Sequence, residues 1–435
     1  MSTPALTNSP APTPARKEAA AVFLQIGLLS FGGPAAQIAL MHKKLVEERG
    51  WLSEQQFLNA LSFCMLLPGP EAMQLATYAG WRLHGVTGGL IAGLFFVLPG
   101  AVVIFALATL YVGFGDLPVM DTLFLGIKAA VLIIVLEALL KVSRRALNET
   151  AHWLIAGFAF LGIFFFSAPF PLIILAAGVY GAVFAASVVD TCPVDRPEIE
   201  TPLRRTVLIV FWGLAIWLVP ILVLYAVTDG GLLGTLGVFF SKLAVVTFGG
   251  AYAVLAYISQ DVVTRLGWLT ADEMLDGLGL AETTPGPLIL VTQFTGYIAA
   301  FREGGYFAAF CGGLITLWAT FTPCFIWIFA GGPYIERISY HPRPKAALQA
   351  VTAAVVGVIL NLSVWFSLHV LFDDITRQDA GPLTLWIPDI ASLNWHALFV
   401  STVAGLLILW AQLGLGWVLG ISATLALLLG SGLFV

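Results

Sequence analysis

Charge is what this chain lacks. Only 10% of its 435 residues are Asp, Glu, Lys or Arg, against about 25% in a soluble globular domain. The formal net charge of −5 is small and scattered, which argues against a nucleic-acid partner. Cysteine is scarce: Cys64, Cys192, Cys311 and Cys324 form no CxxC pair and mostly lie in apolar runs. They read as small buried hydrophobes, not as disulfides or metal ligands. The six histidines show neither HxxxH nor HExxH spacing, so no metal or cofactor is expected. No GxxxxGK[ST] segment occurs, which disfavours direct ATP coupling. The amino terminus, MSTPALTNSPAPTPARKEAAA, has no basic region ahead of an apolar stretch. Residues 1–17 therefore read as a disordered tail, not a secretory signal.

What fills the chain is apolar. Hydrophobic residues make up 59% and the mean hydropathy is +0.94. Runs at 86–113, 205–228 and 345–372 are each long enough to cross a hydrocarbon core of roughly 30 Å as a helix. The fold class is all-α, a polytopic integral membrane protein embedded in a lipid bilayer. Spans are expected at 18–41, 53–84, 86–113, 120–142, 152–167, 171–188 and 205–228, then at 235–258, 270–302, 304–331, 345–372, 396–412 and 414–434. That makes about thirteen crossings, of which 53–84 and 270–302 are interrupted.

A duplication organises these spans. FGG recurs at 31–33 and 248–250, GWL at 50–52 and 267–269, PGP at 68–70 and 285–287, always 217 residues apart. The expected organisation is a first repeat at 18–189, a polar cytoplasmic linker at 190–205 and a second repeat at 206–435 with one extra leading helix. Seven crossings would separate the repeat starts, and an odd number inverts one repeat relative to the other. Arg144, Arg145, Arg196, Arg204, Arg205, Arg337, Arg343 and Lys345 then share one side, the cytoplasmic one by the positive-inside rule. The acidic loop with Asp373, Asp374 and Asp389 falls outside, with segment 114–121. Lys43, Lys44 and Arg49 also fall outside in this scheme, against the rule.

Inverted repeats with broken helices mark secondary transporters. Proline inside a helix removes a hydrogen bond at a cost of about 3 kcal/mol, and in lipid the freed groups find no water. Pro68–Gly69–Pro70 ends one helix and starts another inside the membrane. Its unpaired N–H groups form an anion-favouring end. Pro285–Gly286–Pro287 repeats the device, with Thr283 and Thr284 at a cap-like position. Gly32, Gly33, Gly249 and Gly250 allow close backbone approach. The expectation is a midplane site for a small anion between two helix starts, with Gln74 on the first of those helices. The alternative is that Gly and Pro only kink packed helices.

Glu71 follows the first PGP and Glu282 precedes the second. Either is a capping carboxylate or a group coupling protons to anion movement. Lys242 lies about 14 Å into its span, where an ionisable residue is a functional candidate. The competing reading is a lysine paired within the bundle. Lys128 is similarly deep, and Glu137 lies on the opposite face of its helix. Arg82 marks the cytoplasmic interface by snorkelling, or guards the inner mouth.

FGGP (31–34), GWL (50–52), PGP (68–70), the Gln74 to Gly80 helix and FVLPG (96–100), with FGG, GWL, TPGP (284–287) and TFTPC (320–324) as the weaker second copy, resemble the chromate ion transporter family in its long, two-domain form. The resemblance covers all but the first fifteen or so residues. It implies a multi-pass inner-membrane protein that moves chromate out of the cytoplasm, confers chromate resistance and has some relation to sulfate; protons as a possible coupling ion come from Glu71 and Glu282, and no enzyme activity is expected. A homodimer is compatible with it. The second half departs from the first with FGGA at 248–251 and Leu288 in the place of Glu71, so one carboxylate is expected to serve coupling. Alternatives are a passive anion channel, a carrier of sulfate or another oxyanion, and a chromate reductase, for which no redox centre is evident.

Overall fold

The computed structural model describes residues 14–115, 117–185, 203–248, 251–335, 342–381 and 383–430. Its helices are α1 (Arg16–Leu29), α2 (Gly33–His42), α3 (Glu54–Leu66), α4 (Glu71–Phe114), α5 (Pro118–Ala146), α6 (Thr150–Phe166), α7 (Phe170–Tyr180) and α8 (Leu203–Val227). There follow α9 (Leu232–Val246), α10 (Ala251–Ser259), α11 (Ala271–Thr283), α12 (Val291–Gly331), α13 (Pro342–Leu371), α14 (Trp395–Leu409) and α15 (Leu415–Gly430). Five helical stretches are long and apolar enough to cross a membrane, and five shorter ones are apolar. The all-α, polytopic expectation holds. Among the described residues a two-stranded hairpin is added in the acidic loop, an exposed β1 (Ile375–Ala380) against a part-buried β2 (Leu383–Pro388).

The 217-residue register reaches down to local backbone. Ser53 caps α3 and Thr270 caps α11, each in a reciprocal capping box, with Gln56 and Glu273 as partners; each box satisfies two helix-end N–H groups at once. Gly50 and Gly267 share φ near +60° (61° and 62°). Each of α2 and α10 runs on into a π-helical turn, Lys43–Glu47 and Gln260–Arg265.

The path through the membrane departs from thirteen crossings. Arg49, beyond the end of α2, pairs with Glu18 in the first turn of α1 at 2.5 Å. The chain therefore enters along α1, breaks at 30–32 and returns to the same end. Segment 18–41 is a re-entrant pair, not a crossing. The same holds for α3 and the first limb of α4: a Cβ on Gly331 would meet the Phe63 ring at 2.5 Å, and one on Gly332 the Trp81 ring at 3.2 Å. Phe63 and Trp81 thus lie on the same side of the PGP break. In the second repeat Arg302 binds Glu273, in the first turn of α11, at 2.6 Å, and the Trp268 carbonyl. Segment 270–302 therefore also enters and leaves at one end.

α4 then reverses. His84 (φ −138°) and Gly85 (φ 64°) are not helical, and a Cβ on Gly93 would sit 2.5 Å from Thr77 Oγ1. Residues sixteen apart lie about 24 Å apart along a straight helix, so α4 is a helical hairpin whose second limb crosses. Gly304 and Gly305 turn α12 in the same way.

Side contacts set the remaining directions. Thr206 meets Tyr334 at one end of α8, and Tyr225 packs on Gly234 at the other. α6 runs beside α13 in parallel, with Gly357 on Ala156 and Ser167, just past α6, bonded to Thr384 past the end of α13; α7 is antiparallel to α13, with Gly181 on Ala346 and Gly178 beside Val351. Gly430 abuts Thr122 and Gly126 abuts Ser422, so α15 is antiparallel to α5. Among the described residues five segments run from one end to the other between the two repeat starts: the second limb of α4, then α5, α6, α7 and α8. Five, like seven, is odd, and the repeats are inverted.

This path moves Lys43, Lys44 and Arg49 to the same end as most of the other basic residues. Arg16, Lys17, Lys43, Lys44, Arg49, Arg82, Arg144, Arg145, Arg204 and Arg205 now share one end, here called the basic end. Arg196 and Arg337 lie outside the described residues. Arg265, Arg302 and Arg377 lie at the opposite, acidic end with Asp272, Asp373, Asp374 and Asp389.

Candidate functional site

The two repeats meet where their helices break, and the contact is reciprocal. The Gly69 N–H donates to the Thr247 carbonyl at 2.8 Å, and the Gly286 N–H donates to the Ser30 carbonyl at 2.8 Å. Ser30 and Thr247 are 217 apart, as are Gly69 and Gly286, so one bond is the mirror of the other. The geometry requires glycine at both turns: φ is 118° at Gly69 and 92° at Gly286, a region that side chains avoid. Ser30 and Thr247 each return their hydroxyl to the preceding helix, on the Ile26 and Leu243 carbonyls. That satisfies acceptors freed by the break.

The crossing limbs close the junction. Gly100 on α4 packs against the Pro285 carbonyl, and Cys324 Sγ on α12 would lie 2.9 Å from a Cβ on Gly69. Gly100 and Cys324 end FVLPG and TFTPC. Each PGP turn is therefore roofed by the crossing limb of the other repeat.

Around this junction the expected residues divide. Pro68, Gly69, Pro70 and Glu71 form the first turn. Pro70 is the N-cap of α4, leaving the amides of Glu71, Ala72 and Met73 without intrahelical acceptors. Glu71 is half-buried and is the first residue of α4. Gln74 is fully buried and donates Nε2 to the Pro68 carbonyl at 2.7 Å. Gly32 (φ 83°) and Gly33 (φ 78°) open α2, with Gly33 beside the Tyr252 hydroxyl. Pro285, Gly286 and Pro287 form the second turn, buried and followed by a 3-10 turn, Leu288–Leu290, before α12.

Other expectations are revised. Thr283 and Thr284 donate to the Leu280 and Ala281 carbonyls. They close the carboxyl end of α11 and do not cap the helix that follows. Glu282 is 4% exposed and accepts from the Tyr252 hydroxyl at 3.0 Å. Arg82 is exposed at the end of the first limb of α4, at the basic end. Lys242 is exposed on α9 between buried Ser241 and Leu243. Among the described residues no ion pair engages it, and it does not join the junction. Gly249 and Gly250 lie outside the described residues.

Several residues escaped sequence reasoning. Gln37 is 1% exposed and donates Nε2 to the Gly286 carbonyl at 2.7 Å. Tyr252 gives Glu282 its partner. Nothing local marks either residue. Ser30 and Thr247 did carry a signal, since both copies read hydroxyl-Phe-Gly-Gly. Lys128 is paired, with Asp272 at 3.0 Å and Asp276 at 3.1 Å, while the Tyr111 hydroxyl donates to Asp276 at 2.8 Å. Glu137 pairs with Lys141 instead, as the opposite-face argument requires. Among the described residues no cluster of three or more His, Cys, Asp or Glu could hold a metal.

The comparisons with known proteins agree with this architecture. The family model described as Chromate transporter matches residues 17–182 and 234–430, one segment in each half. The chromate transport protein of Pseudomonas aeruginosa is 33% identical over 82% of this chain and 82% of its own length. That of Cupriavidus metallidurans is 31% identical over 80% and 82%. The uncharacterized transporter YwrA of Bacillus subtilis is 30% identical over 37% of this chain but 91% of itself, about the length of one repeat. No solved structure matches.

Proposed function

The chain belongs to the chromate transporter family, and from that premise we propose that it is a secondary active transporter of tetrahedral oxyanions, exporting chromate from the cytoplasm. The substrate site in this reading is the four-break junction. The first-turn amides of α4 and the dipole of its first limb face an anion there. The observation that carries the reading is the reciprocal pair Gly69–Thr247 and Gly286–Ser30. It brings two chain breaks of opposite direction to one place, the arrangement that alternating access uses.

Glu71 supports coupling. It is the one carboxylate on a helix start at the junction, and in the absence of substrate it offers that start a negative charge of its own. Glu282 is the second candidate, and protons are the proposed coupling ion. The excess of Lys and Arg at the basic end orients that end to the cytoplasm, which makes the inner membrane the proposed location. The proposed repeats remain 18–189 and 206–435, joined by the 190–205 linker, most of which lies outside the described residues. The chain is proposed to carry its substrate chemically unchanged, not to act as an enzyme.

Uptake of labelled chromate and sulfate into proteoliposomes, with pH and voltage gradients imposed separately, tests the reading. Uphill chromate flux driven by a pH gradient is expected, with that dependence lost in Glu71→Gln. Flux that only follows the anion gradient and voltage, whatever the pH difference, would make the protein a channel.

A further inference from the structure

Both chain breaks carry a buried glutamine in the same predicament. Gln74 Nε2 is fixed on the Pro68 carbonyl and Gln37 Nε2 on the Gly286 carbonyl, each at 2.7 Å. Those carbonyls require the N–H end of each amide, so the orientation cannot be reversed without setting oxygen against oxygen. The other end of each amide is left over. Oε1 of Gln74 and Oε1 of Gln37 are buried and have no donor. The two residues are 0% and 1% exposed. They are not related by the 217-residue register, in which Val291 and Val254 stand at the corresponding places. Each PGP turn therefore has one orphan acceptor, supplied from a position that its repeat counterpart does not share.

A fully deprotonated oxyanion fits this badly. It has acceptors only, which suit the amides of Glu71, Ala72 and Met73 but would confront the glutamine oxygens with no hydrogen between. An oxyanion that keeps one proton suits both: its bare oxygens take the N–H groups, and its O–H gives the hydrogen that a glutamine lacks. We propose that the junction binds its tetrahedral oxyanion in the singly protonated form and that Gln74 and Gln37 are the residues that recognise the proton. This rests on the oxyanion reading above and adds what charge and shape cannot supply. Chromate keeps a proton on a substantial fraction of molecules near neutral pH. Sulfate keeps its last proton only in strong acid. Two dianions alike in charge and geometry are told apart by the proton that one of them can bring.

The protein's own protons are the rivals. Around Gln74 stand Glu71 on the same turn, Cys64 at the end of α3 and the Cys324 thiol on α12. Toward Gln37 the tip of α11 brings Glu282, with Tyr252 on α10. A carboxyl or thiol among these could donate in place of the substrate, so the experiment must separate the two sources.

Equilibrium binding of labelled chromate to the purified full-length protein, at micromolar concentration and from pH 6 to 8.5, does so. Sulfate and selenate serve as competitors. Chromate affinity should fall about tenfold per pH unit once the free anion has lost its proton. Sulfate and selenate should compete at least about tenfold more weakly. The slope of equilibrium binding, which reads the proton on the free anion and not the coupling of flux to a gradient, should persist in Glu71→Gln and in Glu282→Gln, whatever those variants do to the affinity itself. In Gln37→Met and Gln74→Met the slope should flatten and the preference over sulfate shrink. A pH-independent chromate affinity overturns the proposal, as does sulfate competing on equal terms. Loss of the slope in either carboxylate variant also overturns it, by placing the proton on the protein. Should the glutamine variants not fold, the wild type and the carboxylate variants decide alone. A protein that binds no chromate at any pH fails the transport reading itself, a result distinct from all of these.

Discussion

At Gly69 and Gly286 the same turn is built in two surroundings, and a single added methyl group tells them apart. Both have φ in the positive region, 118° and 92°. A Cβ on Gly69 would also meet Gln74 Nε2 at 2.8 Å and Cys324 Sγ at 2.9 Å, whereas on Gly286 nothing lies nearer than 3.4 Å. Gly286→Ala therefore bears backbone strain alone, of order 1–3 kcal/mol. Gly69→Ala adds overpacking, a further ~1–3 kcal/mol. Thermal unfolding in detergent should rank Gly69→Ala as clearly the less stable variant, and equal losses would refute the packing account. At this scale much was legible: PGP, FGG and the flanking carboxylates are local patterns that a chain displays in one dimension. Gln37, Tyr252 and Asp276 were not. Each matters through a partner at least 30 residues away, and a single sequence holds no record of such pairings.

Elements were harder to read than residues, because length and apolarity do not state direction. A stretch such as 18–41 satisfies the criterion for a crossing whether it passes through or turns back at its glycines. The Glu18–Arg49 pair distinguishes the two. A direct check follows. With Arg49→Cys or Lys17→Cys in a background lacking the native cysteines, an impermeant thiol reagent applied to intact cells should label neither, and both should react after permeabilisation. Opposite accessibility of the two positions would restore 18–41 as a full crossing. The entry to α3 offers a second check. His42 bridges Glu54 at 2.7 Å and Glu47 at 3.1 Å, tying the end of α2 to the start of α3. The hydrogen bond to Glu54 first, then the remaining interactions with both carboxylates, raises its pKa above 6.5 against the opposing effect of burial. A raised folded-state value means that the contribution is fully present below about 6.5 and is lost as pH rises through the folded pKa. The melting temperature of His42→Gln should therefore trail wild type most at acidic pH, and the gap should close in the alkaline range. A gap that widens with pH would contradict the assigned partners. Because the pair is largely open to solvent the effect is expected to be small.

Across the whole molecule the inverted halves are not equivalent, and the difference sits at the acidic end. There Lys128 on α5 reaches across to Asp272 and Asp276 on α11, joining the first half to the second. At the basic end the positions corresponding to those aspartates are Gln55 and Asn59, which bond only to each other, at 2.9 Å. Among the described residues ion pairs join the two halves at the acidic end, whereas those at the basic end stay within the first half. Asp276 is 5% exposed, so removing its cation leaves a nearly buried carboxylate unpaired, a loss of ~3–5 kcal/mol. Removing both charges costs far less, since an uncharged pair has no such desolvation to offset. Lys128→Met should thus destabilise strongly, and Lys128→Met with Asp276→Asn should recover most of the stability. The Tyr111 hydroxyl can still donate to the asparagine carbonyl in that double variant. If the Lys128 pairing also holds the acidic end closed, the double variant should transport with an altered rate while keeping its substrate affinity. Strict additivity of the two stability losses would show that the charges do not act as a pair, and the two ends would then differ in composition alone.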